Sequence, residues 1–345
     1  MTVVDHAMIV RAMKEPAFYS HEVEAVEFVQ THISSVFLTG DYVYKLKKPM
    51  DFGFLDFTTV ESREIFCRKE LELNRRLAPS VYLGVEPVTL EDCRPRLNGP
   101  GAVVDWVVVM RQLDQSLLGP MVFERGELTV EKIESVVDTL VPFYRAANTG
   151  PGVDEFGSIG TVKFNTDENF EQTARYVGVA LPRTSYDEIR AFTDRFYEER
   201  GDLFQRRIAQ GWIRECHGDL HLANIFFEDP PVIFDCIEFN ERFRCSDVAV
   251  DLAFLVMDLD FRGVPELGER VVDRYVEQSS DKGFLDLADF YSCYRAYVRG
   301  KIACFTSDDP ALGETARGAQ LRLARRYFDL AHHYATEGGH TRDVT

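Results

Sequence analysis

An aspartate at position 219, an asparagine five residues later and a second aspartate at 235 form a set with a chemical logic. They stand in His217-Gly218-Asp219-Leu220-His221-Leu222-Ala223-Asn224 and at the end of Val232-Ile233-Phe234-Asp235. One carboxylate can accept a proton from a hydroxyl, while the Asn oxygen and the other carboxylate can hold Mg²⁺ against nucleotide phosphates. Phosphoryl transfer asks little more of a protein than that positioning and charge neutralisation. The apolar pieces 224–227 and 232–234 flank Glu228-Asp229-Pro230-Pro231, a turn signal, and read as a hairpin with Asn224 at one end and Asp235 at the other. Their closeness is a geometric reason for a shared metal.

Other elements must hold this set in place. A helix capped by Ser246 follows, and Asp251 is the one charge in its apolar run 248–257, so it needs a hydrogen-bonding partner. The backbone of the 217–224 loop is the simplest one. Upstream, 36–38 and 42–47 around Thr39-Gly40-Asp41 read as a hairpin whose second arm carries Lys45 and Lys47, with Lys48 just beyond. Lysines there either guard a solvated edge or reach nucleotide phosphates. No glycine-rich phosphate-binding motif accompanies them. Thr58 and Glu61 read as a capping box for a helix to Leu77, whose apolar side is Phe66, Leu73 and Leu77. Glu70 lies on that side. Either it pairs with Lys45, or it sits at the margin and reaches water.

The remaining chain divides into a strand-rich part, 1–112, and a helix-rich part, 113–345. A helix runs from Ser20 to His32. Residues 85–88 and 103–110 are strands, the second apolar enough to be central. Helices cover 129–147, 168–178 and 185–210, with a loop over 149–166. From 266 onward the chain is helical. There Tyr291, Tyr294, Arg295, Tyr297, Arg299 and Lys301 read first as a solvated face and second as a substrate wall. The tail after Gly338 is expected to be disordered.

With 345 residues, 45% of them hydrophobic, the chain can build two cores. A net charge of −18 argues against nucleic acid and anionic membrane as partners. Seven Cys without a metal-like spacing, no apolar leader and no spanning run point to a reduced, cytoplasmic setting.

The loop 217–224 with Asp235, Asp247 and Asp251 resembles the aminoglycoside phosphotransferase-like family of the protein-kinase-like fold. Residues 36–49, 51–57 and 70–77 resemble a bacterial subfamily whose members are in some cases fused to a P-loop ATPase domain. The resemblance covers roughly residues 30 to 310. It implies an α+β, bilobal fold with a small strand-rich N-lobe and a larger helical C-lobe. It also implies Asp219 as catalytic base, Asn224 and Asp235 as Mg²⁺ ligands, and Lys45 as the nucleotide-phosphate lysine with Glu70 as its helix partner. His217 would brace the loop and Asp251 support it. Gly218 stands where many protein kinases carry an Arg that senses activation-loop phosphorylation, so no such switch is expected. A P-loop ATPase, where needed, would act in trans.

The expected function is an ATP- and Mg²⁺-dependent phosphotransferase acting on a hydroxyl of a small molecule, cationic and amino-sugar-like, with GTP as the alternative donor. A nucleotide-binding regulatory or pseudokinase module is the competing reading. A metallophosphoesterase, suggested by His217 and His221, lacks the upstream Asp-x-His and downstream Asn-His pair it would need. His221 then reads as a loop-packing residue.

Overall fold

The computed structural model describes residues 5–53 and 55–338. In chain order the elements are α1 (His6–Met13), β1 (Glu27–Gln30), β2 (Ser34–Leu38), β3 (Tyr42–Lys47), α2 (Val60–Asn74), β4 (Tyr82–Glu91), β5 (Arg94–Leu97), β6 (Ala102–Arg111), α3 (Gly119–Glu124) and α4 (Val130–Ala146). There follow α5 (Pro151–Asp154), α6 (Ile159–Thr173), α7 (Arg183–Ala209), β7 (Ile213–Glu215), β8 (Ile225–Phe226), β9 (Val232–Ile233), α8 (Glu241–Arg244) and β10 (Cys245–Asp247). The chain ends in α9 (Val248–Phe261), α10 (Pro265–Ser279), α11 (Ala288–Ser307) and α12 (Glu314–Thr336). Two compact units result. One comprises the described residues of Met1–Val122 with Asn224–Glu241; the other comprises Phe123–Ala223 with those of Arg242–Thr345. The first is strand-rich and the second helical, the α+β class expected.

The first unit is a six-stranded antiparallel sheet in the order β1-β2-β3-β6-β4-β5. Strand β6 is central, as its apolar run, broken only by Asp105, leads one to expect. Tyr44, Leu46, Val107 and Val109 point to one face, where Ile9 and Met13 of α1 cover them. Helix α2 packs on the other face through Cys67, with Val108 and Met110 beneath. The segment 224–241 returns to this unit because Leu118 bridges to Phe226 and the Phe227 amide donates to the Leu117 carbonyl at 2.9 Å. The second unit is built around α9, buried on every side from Val248 to Leu259. Arg207 of α7, itself buried, forks onto Asp247 at 2.6 and 2.7 Å and also binds Asp281. Its charge is thus compensated inside the core, as burial demands.

Several local expectations change. Residues 20–32 are not helical: 27–30 form edge strand β1, where Val26 and Phe28, two apart, both face the core and Phe28 packs on Phe37. Period-two burial against the open edge of β2 outweighs the helical spacing. The cap of α2 is Thr59, whose hydroxyl accepts from the Ser62 amide at 3.0 Å, while Thr58 is held by Asp56. Ser246 lies in β10, and Asp247 caps α9 by accepting from Ala249. Residues 149–166 are largely helical. Pro151 starts α5, Ser158 caps α6, and Thr166, Asn169, Phe170 and Thr173 repeat at helical spacing on the buried side. A buried face this polar hides the period that marks a helix in sequence. Of the cluster on α11, Tyr291, Arg295, Tyr297 and Lys301 are buried, which overturns the solvated-face reading. The expectation for the tail after 338 falls outside the described residues. None of the seven Cys is in a disulfide. Among the described residues no helix is long and apolar enough to cross a membrane.

Candidate functional site

In the first unit, Lys45 and Lys47 alternate on β3 with Tyr44 and Leu46, so both lysines point to the α2 side. Lys45 Nζ lies 2.9 Å from Glu70 Oε1 and 2.5 Å from Asp235 Oδ1. Lys47 Nζ lies 2.6 Å from Glu70 Oε2 and also binds Glu238. Glu70 is fully buried, so its charge is tolerable only because two ammonium groups face it. Burial raises its carboxyl, but Lys45 and Lys47 outweigh that and bring it to about 2, from an ordinary 4.5. Burial likewise works against the Lys45 ammonium, and Asp235 and Glu70 carry it well above its usual value. Three carboxylates thus meet two ammonium groups. The Glu238 carboxyl is pushed up by burial and by Glu70, against the pull of Lys47.

This network predicts a pH effect. The Glu70 contribution to stability is present in full above pH 4.5 and fades as pH falls toward 2, because its folded value lies below its unfolded one. Glu238, shifted the other way, opposes folding while ionised. Urea titrations across that acid range should therefore show a fall in stability that Glu70→Gln flattens.

The segment after β9 is anchored to α2 and β4. The Asp235 amide donates to the Tyr82 hydroxyl at 3.2 Å, and the Cys236 amide to Asn74 Oδ1 at 2.8 Å. Asp235 itself holds a left-handed backbone, φ 63°, uncommon outside glycine. Its side chain is 43% exposed, in contrast to its buried neighbours. The Phe234 amide donates to the Asn224 carbonyl at 3.1 Å, so the β8–β9 hairpin sets Asn224 beside the start of this segment. Among the described residues no three His, Cys, Asp or Glu gather to hold a metal. Two hard oxygen donors next to a carboxylate surplus nonetheless suit Mg²⁺, which keeps waters and phosphates as its other ligands.

In the second unit, the loop after β7 is held by α9. Asp251 accepts the His217 amide at 2.7 Å and the Gly218 amide at 2.8 Å. Seven residues on, and so on the same side of the helix, Asp258 accepts the Leu222 amide at 3.0 Å. Gly218 has φ 90°, which excludes the arginine found there in many protein kinases on backbone grounds alone. His217 is fully buried, and its Nδ1 accepts the Asp219 amide at 3.2 Å. His221 Nδ1 accepts from the Ala223 amide, so its Nε2 carries the proton and faces Asp219 Oδ2 at 3.4 Å. Burial raises the Asp219 carboxyl, but His221 first, then Arg299 and His217, hold it far below the usual carboxylate range. Removing the Asp251 acceptors leaves two buried amides unpaired. Asp251→Ala should cost about 2–4 kcal/mol in urea unfolding.

The geometry thus joins Lys45, Glu70 and Asp235 directly, seats Asn224 on the adjoining hairpin and, in the other unit, holds the Asp219 loop through His217 and Asp251. Sequence reasoning missed Lys47 and Glu238 as partners, Asp258 as the second tie, and His221 as the group facing Asp219. The seven-residue spacing of Asp251 and Asp258 was the available signal.

A strand-rich unit with a buried Lys–Glu pair and a helical unit with an acid-braced loop are the parts of a kinase-like fold. Residues 133–287 match the phosphotransferase enzyme family. An uncharacterized protein of Mycobacterium tuberculosis (strain ATCC 25618 / H37Rv) is 35% identical over 283 residues, 81% of this chain and 55% of the relative. The chain thus spans about half the length of the curated relatives it matches. In fold it is similar to a choline/ethanolamine kinase family protein from Mesorhizobium loti (TM-score 0.53, 13% identity, 96% of this chain and 100% of that one). It is also similar to amicoumacin kinase in complex with AMP-PNP and Ca²⁺ (TM-score 0.53, 13% identity, 94% of each chain).

Proposed function

We propose that this chain is an ATP- and Mg²⁺-dependent phosphotransferase acting on a hydroxyl of a small molecule. The observation that carries the reading is Asp219, kept ionised by His221 and Arg299 on a loop tied to Asp251 and Asp258. Such a carboxylate orients a hydroxyl and receives its proton as the oxygen bonds the γ-phosphorus of ATP and the bond to the departing ADP oxygen breaks. Lys45, positioned by Glu70, would hold the nucleotide phosphates. Asn224 and Asp235 would hold Mg²⁺, which when bound neutralises charge on the phosphates. His217 and Asp251 are positioning residues for the loop. The matched family and the nucleotide and divalent cation in the amicoumacin kinase structure support this reading.

The acceptor we propose is cationic and amino-sugar-like, consistent with the acidic chain, and the setting cytoplasmic. A P-loop ATPase, where the reaction needs one, would act in trans. The test is ADP formation from ATP over a panel of amino sugars and amino alcohols. Acceptor-dependent turnover supports the reading. Tight ATP binding with no acceptor across the panel would favour the pseudokinase reading.

A further inference from the structure

We propose that the first unit carries, on the sheet face opposite Lys45, a binding pocket for a small organic cation. Strand alternation turns Tyr42 and Tyr44 away from the lysines. The register places Tyr44, Val109 and Gly84 side by side across β3, β6 and β4. They line a cavity of about 320 Å³ together with His21 and Glu86. Gly84 follows an irregularity in the β4 register and forms an open floor, since a Cβ there would meet no atom within 4 Å.

The walls are aromatic. The His21 ring lies over Tyr44 at an interplanar angle of 16° and meets Tyr42 edge-on at 4.9 Å. His21 Nε2 is engaged with the Thr39 hydroxyl at 3.1 Å, which fixes the ring. Glu86 brings a half-buried carboxylate to the same cavity. The other half-buried acids of this unit have basic partners: Glu64 has Arg68, Glu91 has Arg96, Glu228 has Arg111 and Asp235 has Lys45. No basic side chain among the described residues pairs with Glu86. Burial, then Glu86 and Tyr42, push the Tyr44 hydroxyl up to about 12, so it stays neutral. Aromatic faces around an uncompensated carboxylate attract a cation and repel an anion. The volume suits a quaternary ammonium or guanidinium group. The phosphates of a nucleotide are excluded by sign, so this pocket is separate from the Lys45 site.

The experiment is an NMR titration of the full chain with tetramethylammonium chloride, against sodium chloride at equal ionic strength. Saturable shifts are expected at the Gly84 and Val109 amides. Glu86→Gln should weaken the affinity about tenfold, and Gly84→Leu, which fills the floor, should remove the shifts. Asp219→Asn should leave them unchanged, which separates this pocket from any cationic acceptor bound at the catalytic loop. Absence of saturable shifts at these amides would overturn the proposal. So would shifts that survive both Glu86→Gln and Gly84→Leu, or that vanish with Asp219→Asn.

Discussion

Asp219→Asn is expected to lower phosphate transfer by about 10²–10⁴-fold while leaving nucleotide affinity within a few-fold of the parent. The amide keeps the size of the carboxylate and removes its charge. His221 and Arg299, which now hold the carboxyl ionised, lose the anion they face. Binding should persist, because Lys45, Glu70 and Asp235 belong to a separate compact unit and make no use of Asp219. The fold should persist as well, because Asp251 and Asp258 hold the loop through its backbone, not through the Asp219 side chain. Turnover and titration of the same preparation check both halves. Full activity in the variant would remove Asp219 from the reaction.

The second large effect is on stability. Lys47→Met should cost about 3–5 kcal/mol in urea unfolding, the range for breaking a buried ion pair from one side. Lys47 is fully buried and serves two carboxylates, so its removal leaves Glu70 and Glu238 with Lys45 alone. Glu238 is already pushed toward its neutral form and would take up a proton. Adding Glu238→Gln to Lys47→Met should therefore recover part of the loss. A Lys47→Met variant within about 1 kcal/mol of the parent would show that the network contributes little to folding.

The large outlines were legible in the sequence because they rest on strong periodic signals. The apolar run 103–110 could only be a central strand, and an apolar helix with a lone Asp251 demanded an internal partner. The misreadings have physical causes. Residues 27–30 carry both a helical and a strand period, and only the open edge of β2 decides between them. Helix α6, which begins inside 149–166, buries Thr166, Asn169 and Thr173 beside a single Phe170, and Thr166 pairs with Tyr197 of α7, so the helix lacks an apolar signature. Arg295 and Lys301 looked solvent-facing by type alone. Lys301 is instead buried against the amides of Asn169 and Gln172, and burial lowers its ammonium to about 8. In the candidate site, the Glu70 partner was open between Lys45 and water, and the structure gives it two lysines. Lys47 could not be ranked against Lys45, because which of two alternating lysines meets Glu238 depends on a contact across 191 residues.

The most direct test of the central claim is a calorimetric titration of the purified chain with ATP, with and without Mg²⁺, on the parent and on Asp235→Ala. The account predicts binding that strengthens with Mg²⁺ and loses that dependence in the variant, since Asp235 is the exposed carboxylate beside Lys45. Absence of ATP binding under every condition, or binding indifferent both to Mg²⁺ and to Asp235→Ala, would contradict it.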